Sequence, residues 1–234
     1  MISVCMATKN GAKYISEQID SIIMQLGSDD ELVISDDRSV DETEKIVSNY
    51  HDSRIKFFTN DNKNGVVSNF ENSLRRSSGE YIFLSDQDDV WVGNKIEVMR
   101  RELLTHDVVI SDCSLANDTL DIFEPSFFAL NNSGKGIVRN IIKNSYMGCC
   151  MAFKRKVLEK ALPFPNNTPM HDMWIGLIGE MNYDVKFLKM PLVYYRRHQG
   201  NASSSGGVSG IALTRKMFWR ITILRNLIAN KLYA

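Results

Sequence analysis

The feature that most constrains the fold of this sequence is a regular alternation of strand-like and helix-like segments through the first 113 residues. Short apolar runs are typical of buried strands, and apolar residues at every third or fourth position indicate amphipathic helices. Strands that alternate with helices at this interval predict an α/β fold with a mostly parallel central sheet flanked by helices. The predicted strands are 2–7, 31–35, 54–59, 81–85 and 108–111, and the predicted helices are 14–26, 41–50, 66–79 and 96–103.

Beyond residue 113 the alternation is weaker, and the polar stretch 114–136 is expected to border the functional site. The later pattern predicts strands at 146–153, 184–188 and 192–196, and helices at 154–161 and 173–181. We therefore expect one domain over 1–200, made of the portions 1–113 and 114–200, then a flexible segment at 201–210 and a basic amphipathic helix at 211–234. That helix places four apolar residues on one face, namely Met217, Ile221, Leu224 and Ile228.

Charge is distributed unevenly along the chain. Lys and Arg number 28, as do Asp and Glu, but the last acidic residue is Asp184 and nine basic residues follow it. Overall neutrality excludes a protein held on nucleic acid by bulk positive charge, so no nucleic-acid partner is expected. The acid-free helix at 211–234 has the composition of a helix that lies on an anionic membrane surface. Packing of that helix on its own domain, or on a partner protein, is an equal alternative.

The expected cellular compartment follows from two sequence patterns that are absent. The sequence shows neither a secretory leader nor an apolar run of membrane-spanning length, so we expect a cytoplasmic protein. The basic helix adds the expectation of peripheral contact with the inner face of the cell membrane. The four cysteines form no zinc or disulfide pattern and are expected to be reduced core thiols; they are Cys5, Cys113, Cys149 and Cys150.

Carboxylates are concentrated directly after two of the predicted strands. Asp36 and Asp37 follow the second strand, while Asp86, Asp88 and Asp89 follow the fourth. Ligands of open parallel sheets bind outside the carboxyl ends of the strands, and crowded carboxylates repel one another unless a cation or hydrogen-bond donors offset their charge. This pattern favours a hard divalent cation, Mn²⁺ or Mg²⁺, with a solvated acidic turn as the alternative. The chain contains neither a phosphate-binding P-loop nor a GxGxxG loop.

Several short motifs occur in a characteristic order along the chain. They are Ala7-Thr8-Lys9-Asn10-Gly11, Ser35-Asp36-Asp37-Arg38-Ser39 with Asp41 and Thr43, Asn64-Gly65 with Asn69, Ser85-Asp86-Gln87-Asp88-Asp89 with Trp91, Gly148, His171-Asp172 and Arg196-Arg197-His198. Together they resemble family 2 glycosyltransferases of the GT-A (Rossmann-like) fold, in particular small bacterial enzymes of surface-polysaccharide synthesis that include rhamnosyltransferase-like members. The resemblance covers residues 2–200, and the ordered series carries it, since each motif alone is weak.

The resemblance implies a donor site in the portion 1–113, the nucleotide-binding half. The donor would be a UDP- or dTDP-linked sugar, and the divalent cation would bridge its diphosphate. The implied metal ligands are Asp88 and His198. The implied nucleotide- and donor-binding residues are Thr8, Asn10, Asp36, Asp37, Asp86, Arg196 and Arg197. Among them, Arg196 and Arg197 are expected to help neutralise phosphate.

The portion 114–200 would hold the acceptor and the catalytic base. Asp172 matches the base of the family, and Gly148 and Trp174 are expected on the acceptor side. The alternative for Asp172 is an ordinary helix N-cap, and Asp89 is either a second metal contact or an N-cap for the helix after Trp91. One base and a direct displacement imply an inverting transfer to a hydroxyl of a saccharide or lipid-linked acceptor, in the synthesis of cell-surface polysaccharide. The chain departs from the commonest family pattern at Arg38, in place of Gly, and at His171, in place of Glu.

Two alternatives share parts of this pattern. A sugar-phosphate nucleotidyltransferase also uses carboxylates and a cation, but it has a Gly-rich basic loop after the first strand, where this chain has only Lys9-Asn10-Gly11. A non-catalytic protein of the same fold that binds nucleotide-sugars would not require Asp172, Asp88 and His198 together.

Overall fold

A computed structural model describes residues 1–198, 201 and 213–232. The strands are β1 Ile2–Thr8, β2 Glu31–Asp36, β3 Ile55–Thr59, β4 Tyr81–Asp86, β5 Val90–Trp91, β6 Val108–Ala116, β7 Ile122–Glu124, β8 Met151–Lys154 and β9 Val185–Arg196. The helices are α1 Ile15–Ile23, α2 Thr43–Ser48, α3 Val66–Arg76, α4 Lys95–Glu102, α5 Phe127–Asn131, α6 Ile137–Ile142, α7 Arg155–Ala161, α8 His171–Asn182 and α9 Leu213–Leu232.

One mixed sheet organises the described residues, with strands in the order β3-β2-β1-β4-β8-β6-β9-β5 and with β7 beside β6. The first four strands pair in parallel, as do β6 and β9, which confirms the predicted α/β class with its mostly parallel sheet. In this register Thr8 is the partner of Asp36, and Ala7 is the partner of Asp86. The polar residues at the carboxyl ends of β1, β2 and β4 therefore meet at one edge.

Helices cover the sheet through the apolar faces that their spacing predicts. Ile15, Ile19 and Ile22 of α1 are fully buried, and so are Phe70 and Leu74 of α3. Burying an aliphatic or aromatic side chain of this size contributes about 1.5–3 kcal/mol, so the helices are held mainly by these contacts. The core beneath the strand ends is consequently rigid enough to hold polar side chains in fixed positions.

The predicted strand at 146–153 is wrong in its first half. Gly148–Cys150 forms a 3₁₀ turn, and the strand begins only at Met151. The amide of Cys150 donates to the carbonyl of Met147 within this turn, so the chain bends before it enters the sheet. Cys149 and Cys150 are both buried thiols, as predicted for core cysteines.

The two strands predicted at 184–188 and 192–196 are one continuous strand, β9. Its pairing with β6 shifts register between Ser111, opposite Leu188, and Asp112, opposite Pro191. Proline has no amide hydrogen to donate to the ladder, so an irregularity at this position is expected. The strands β5 and β7 were not predicted, because two or three residues are too few to show an alternation.

The C-terminal helix α9 packs on the domain through one side. Ile223 and Leu227 are buried, and the Arg220 guanidinium donates to the carbonyls of Ile141 and Ile142 at 3.1 and 2.6 Å. Within the described residues no helix has the length and apolarity needed to cross a membrane. The predicted flexible segment at 201–210 lies outside the described residues, apart from Asn201.

Candidate active site

The carboxyl ends of β1 and β2 form a hydrogen-bonded edge. The Asp36 carboxylate accepts from the Thr8 hydroxyl at 2.8 Å and from the Ser39 amide and hydroxyl at 2.7 and 2.6 Å. Asn10 reaches the same loop, since its side-chain oxygen accepts from the Val40 amide at 2.9 Å. These contacts place the predicted nucleoside-binding residues Thr8, Asn10 and Asp36 together.

Asp37 links this edge to the start of α3. Its carboxylate accepts from the Asn60 side-chain amide at 3.1 Å and from the Gly65 backbone amide at 3.0 Å. Gly65 has a φ of 126°, a conformation that favours glycine, which explains why the turn before α3 carries this residue. Asp37 is therefore buried and anchored by its own neighbours.

The predicted metal ligands Asp88 and His198 are in direct contact. Nε2 of His198 lies 2.8 Å from Oδ2 of Asp88, although the two residues are 110 positions apart in the chain. The side chain of Asn201 donates to the same Asp88 oxygen at 3.3 Å. The His198 ring also lies against the ring of Tyr14, with centroids 4.7 Å apart. Sequence reasoning missed both Asn201 and Tyr14, which lie in no motif of the series.

A second cluster is formed by Asp86, Asp89 and Cys149, of which Asp89 and Cys149 are buried and Asp86 is partly exposed. One ligand atom from each residue lies within 4.8 Å of the others. Burial, followed by the charges of Asp88 and Asp172, raises the pKa of Asp86 to about 8. Burial and the Asp88 and Asp86 carboxylates raise the pKa of Asp89 well above its usual range. Without a cation, this cluster is therefore favoured in protonated form.

Asp89 and Cys149 are the part of the site for which the sequence carried the weakest signal. Oδ1 of Asp89 accepts from the Arg196 amide at 3.0 Å, while Oδ2 has no hydrogen-bond partner among the described residues. Asp89 is thus part of the buried centre and does not cap the helix after Trp91. Cys149 joins it only because of the 3₁₀ turn, which no pattern predicted.

Asp172 lies in the first turn of α8, behind the Asp86 carboxylate. Its Oδ1 accepts from the Met173 amide at 2.6 Å. Burial raises the pKa of Asp172 to about 6, against the lowering effect of the Met173 and Gly148 amides. The residue that caps α8 is Met170, so the alternative of Asp172 as an N-cap is wrong.

Gly148 faces the two residues that open α8. A Cβ atom built at Gly148 would lie 2.8 Å from Nε2 of His171 and 3.7 Å from the Cβ of Asp172, so only glycine leaves this space open. The His171 ring stacks on Phe70 at 3.8 Å, and neither of its nitrogens has a partner among the described residues. Burial lowers the pKa of His171 to about 3, so its imidazole is neutral near pH 7.

Arg196 occupies the site differently from the expectation that it neutralises phosphate. Its guanidinium is buried, pairs with the Glu17 carboxylate and donates to the carbonyls of Asp88 and Asp118. These contacts hold the loop after β4 against the end of β9. Arg197 donates its amide to the Ala116 carbonyl at 2.8 Å and lies near the Tyr195 ring.

The expectation of Trp174 on the acceptor side is wrong. Its side chain is 1 % exposed, and its indole N–H donates to the Ala161 carbonyl of α7 at 2.9 Å. Because the indole is packed between α8 and α7, it offers no face to a sugar ring. Trp174 is a core residue that fixes the position of α8, and hence of Asp172.

This arrangement of strand-end carboxylates, histidine and buried aspartate can be compared with known families. The family model described as glycosyl transferase family 2 matches residues 3–162. The chain belongs to glycosyl transferase family 2. This confirms the resemblance on which the site residues were chosen, and the nucleotidyltransferase alternative is not favoured.

Relatives of this glycosyltransferase include several enzymes named for lipid-linked substrates. It is 27% identical over 214 residues to UDP-Glc:alpha-D-GlcNAc-diphosphoundecaprenol beta-1,3-glucosyltransferase WfgD of Escherichia coli, covering 88% of this chain and 80% of WfgD. It is 34% identical over 197 residues to GalNAc(5)-diNAcBac-PP-undecaprenol beta-1,3-glucosyltransferase of Campylobacter jejuni, covering 78% of this chain and 61% of that enzyme. The dTDP-rhamnosyl transferase RfbG of Shigella flexneri is 26% identical, with 96% of this chain and 85% of RfbG covered.

Solved structures show the same fold. The structure of S. aureus TarS 1-349 in complex with UDP-GlcNAc superposes with a TM-score of 0.74 at 22% identity, covering 96% of this chain and 66% of TarS. Glucosyl-3-phosphoglycerate synthase from Mycobacterium tuberculosis, in complex with Mn2+ and UDP, superposes with a TM-score of 0.61 at 18% identity, covering 98% of this chain and 79% of that enzyme. The GT-A fold of this glycosyltransferase is thereby confirmed.

The residues at the site fit a divalent cation. Carboxylate oxygens and an imidazole nitrogen are donors that suit Mn²⁺ and Mg²⁺, and Asp89 keeps one buried oxygen without a partner among the described residues. Asp89 and Cys149 are fully buried, whereas Asp86 is partly exposed and the side chains of Asp88 and His198 are 11% and 16% exposed. Asp86, Asp88 and His198 are therefore the members of the site that reach solvent.

Proposed function

We propose that this enzyme is an inverting glycosyltransferase that moves a sugar from a UDP- or dTDP-linked donor to a hydroxyl of a lipid-linked saccharide, in the synthesis of cell-surface polysaccharide. The observation that carries the proposal is the position of Asp172, a buried carboxylate close enough to the β4 edge to raise the pKa of Asp86. A proton acceptor beside a cation-binding edge is what direct displacement of a nucleoside diphosphate requires.

The nucleoside half of the donor is assigned to the edge formed by β1 and β2. The Asp36 and Asp37 carboxylates are fixed by Thr8, Ser39, Asn60 and Gly65 and shape this end of the pocket. Because these side chains are held before a ligand arrives, little rotamer freedom is lost on binding. Lys9 donates to the Arg38 carbonyl and closes the same edge.

Asp88 and His198 would hold the cation, with the Asp86 and Asp89 carboxylates close to Asp88. When bound, the ion would act as a Lewis acid that offsets charge on the departing diphosphate. The chain itself holds the two ligands together through the contacts of Arg196 with the Asp88 carbonyl and the Asp89 carboxylate. Arg196 is thus proposed to position the metal ligands, while phosphate neutralisation stays a prediction for Arg197.

Asp172 is proposed as the general base. Its pKa, raised to about 6 by burial, leaves it mostly ionised at neutral pH but more basic than an exposed carboxylate. It would take the proton of the acceptor hydroxyl as that oxygen attacks the anomeric carbon. The new bond forms as the bond to the diphosphate breaks, so a single displacement inverts the anomeric centre.

The lipid-linked acceptor is suggested by the names of two relatives, which are diphosphoundecaprenol and PP-undecaprenol glucosyltransferases. Such an acceptor is confined to a membrane, so the enzyme must work at a bilayer surface. We include in the proposal a peripheral contact made through α9, which has basic residues and no acidic one.

The donor class can be tested with a panel of UDP-, dTDP- and GDP-sugars, by thermal shift and by donor hydrolysis, with and without Mn²⁺. We expect UDP or dTDP compounds to raise the melting temperature only when the metal is present. Asp88→Asn should abolish this shift, whereas Asp29→Asn, which changes an exposed carboxylate far from the site, should keep it. A panel in which no nucleotide shifts the melting temperature under any metal would overturn the proposal.

A further inference from the structure

The C-terminal helix α9 presents two apolar sides, and only one of them packs on the domain. Ile223 and Leu227 are the buried side. The stripe predicted from the spacing is on the other side and points to solvent. Ile221 and Ile228 are each 61% exposed, Met217 is 53% exposed and Leu224 is 44% exposed.

The short helix α6 extends this outward stripe. Val138 and Ile142 are 71% and 61% exposed, and the Ile142 carbonyl is bonded to Arg220 of α9. Arg220 is three or four positions from both Met217 and Leu224, so it is their neighbour on the helix surface. The exposed apolar residues of the two helices are thus continuous, and together we call them the α6–α9 face. A soluble monomer rarely exposes a contiguous apolar patch of this kind without a partner.

The charges around the α6–α9 face are of one sign. Arg139, Lys143 and Arg225 are exposed on the two helices, and the sequence contains no Asp or Glu at 125–158 or after residue 184. Glu180 approaches α6, but its carboxylate is bonded to the Gly136 amide and the Asn140 side chain, on the buried side of that helix. An apolar stripe bordered by cations matches the surface of an anionic bilayer.

A second copy of the chain fits the same face poorly. Two copies packed face to face would bring like charges together, and neither face has a carboxylate to offset them. The stripe is also carried on helices that are anchored to the domain, since Arg220 joins α9 to α6 and Ile223 is fully buried. The face is therefore a fixed surface of the domain, which can orient the whole enzyme.

The position of α6 connects this surface with the site. Ile142 lies six residues before Gly148 in the chain, and Gly148 faces Asp172. Six residue steps span at most about 21 Å of extended chain, so the base side of the site lies within that distance of Ile142.

We propose that the α6–α9 face docks the enzyme on anionic phospholipid, with the apolar stripe in the interface and the basic residues at the headgroups. This inference rests on the proposed function, because it supplies the surface at which a lipid-linked acceptor is met.

The test is co-sedimentation of the full chain with vesicles of pure phosphatidylcholine, and with vesicles of phosphatidylcholine and phosphatidylglycerol in a 3:1 ratio. We expect the partition coefficient to be about tenfold higher for the anionic vesicles, from the attraction of several basic residues. The double variant Ile221→Ser/Ile228→Ser should lose about tenfold or more of this binding, because two apolar side chains leave the interface. The double variant Arg139→Gln/Arg225→Gln should lose the preference for anionic lipid.

The matched control is Met24→Ser/Leu104→Ser, which removes two exposed apolar residues at 81% and 66% exposure outside the face. This control should bind vesicles as the unchanged chain does. Equal binding by Ile221→Ser/Ile228→Ser would overturn the proposal, and so would no binding of the unchanged chain to anionic vesicles. Light scattering that shows a dimer, lost in that same variant, would assign the face to a second copy instead.

The experiment separates this inference from the proposed function. Donor hydrolysis measured without vesicles should be unchanged in Ile221→Ser/Ile228→Ser, since neither residue belongs to the site. Conversely, Asp172→Asn should bind anionic vesicles normally. An unchanged chain that binds anionic vesicles but hydrolyses no donor would contradict the assigned chemistry alone. An unchanged chain that hydrolyses donor but binds no vesicles would contradict the docking surface and the α9 contact, and would leave the assigned chemistry intact.

Discussion

Two carboxylate clusters at the same edge of the sheet have opposite surroundings. Asp36 and Asp37, after β2, each accept two or more hydrogen bonds from neighbouring hydroxyl and amide groups. At the end of β4, burial and the Asp88 and Asp172 carboxylates raise the pKa of Asp86 to about 8, and Asp89 keeps one oxygen without a partner among the described residues. The residue type and its place in the fold are the same, but only one cluster is satisfied by the protein.

The difference teaches that the position at a strand end does not decide the role of a carboxylate. Donors that are already in place turn Asp36 and Asp37 into structural anchors of a pocket. Where donors are missing, the charge has to be offset by a proton or by a bound cation. The β4 edge therefore has a reason to bind a ligand that the β2 edge lacks. The following predictions are ordered by the size of the expected effect.

The largest effect is expected at Asp172, the carboxylate that faces the β4 edge from α8. Asp172→Asn should lower the transfer rate by about 10²–10⁴-fold, because amide cannot accept the acceptor proton. Nucleotide binding, measured by thermal shift, should be retained. The exposed Asp29→Asn variant serves as the control for the rate. Turnover close to that of the unchanged enzyme would remove Asp172 from the role of base.

Cation binding should stabilise the protein through the β4 edge. A ligand present at 100 times its Kd adds about 2.7 kcal/mol, which corresponds to a rise in Tm of about 5–10 °C for a chain of this length. We expect Mn²⁺ to give such a rise, measured by calorimetry, and Asp88→Asn to abolish it. If Asp36→Asn abolished the rise equally, the two clusters would not differ in the way proposed.

The same Asp-to-Asn substitution should change the free energy of unfolding in different directions at the β2 edge and at the β4 edge. Asp36→Asn replaces an acceptor oxygen with an NH₂ group facing the Thr8 and Ser39 donors, and should cost about 2 kcal/mol of unfolding free energy. Asp86→Asn removes a carboxyl group that has to take up a proton when the metal-free chain folds, so it should leave the metal-free stability unchanged or raise it by about 1 kcal/mol. Urea unfolding without metal measures both. An equal loss in the two variants would break the comparison.

The smallest effect concerns how the free energy of unfolding depends on pH through His171 and Asp172, the first two residues of α8. Burial lowers the pKa of His171 to about 3, so between pH 6.5 and 3 the unfolded chain binds a proton that the folded protein does not, and stability falls as pH falls. Burial raises the pKa of Asp172 to about 6, so between pH 6 and 3.8 the folded protein holds the additional proton, and stability rises as pH falls. Between pH 6.5 and 4.5 the two effects oppose, which leaves a net loss of unfolding free energy of about 1 kcal/mol.

Variants at these two positions should separate the effects. Urea unfolding of His171→Gln at pH 6.5 and 4.5 should show a smaller acid loss than the unchanged protein. Asp172→Asn should show a larger acid loss, because it removes the group that gains a proton. Identical pH dependence in all three proteins would contradict the assigned surroundings of α8.

Residues 1–113 were largely predictable because both relevant patterns are local. Buried strands and amphipathic helices have their own periodicities, and the polar residues after β1, β2 and β4 meet because parallel strands end at one edge. The ordered motifs also led to Asp88 and His198, which the fold brings within 2.8 Å of each other.

The parts of the fold and the site that were not predicted depend on tertiary contacts, which no local sequence pattern indicates. Cys149 joins the acidic centre through a 3₁₀ turn, and the apolar run around it reads equally well as a strand. Trp174 and Arg196 were expected to meet ligands, but a partner inside the protein takes each one, Ala161 for the indole and Glu17 for the guanidinium. Whether a polar group faces a ligand or its own chain is decided by tertiary packing.

The end of β9 has a consequence for how the enzyme is made. Arg196 and His198 hold the Asp88–Asp89 turn, which is synthesised 110 residues before His198. At about 5–20 residues per second, a ribosome needs about 5–20 s to cover that interval. During this time the acidic turn exists without its basic partners, so a chain that stops before residue 196 has the sheet edge but lacks the groups that hold it closed. Closure of the turn at Asp88 and Asp89 is thus among the last steps in the folding of the newly synthesised chain.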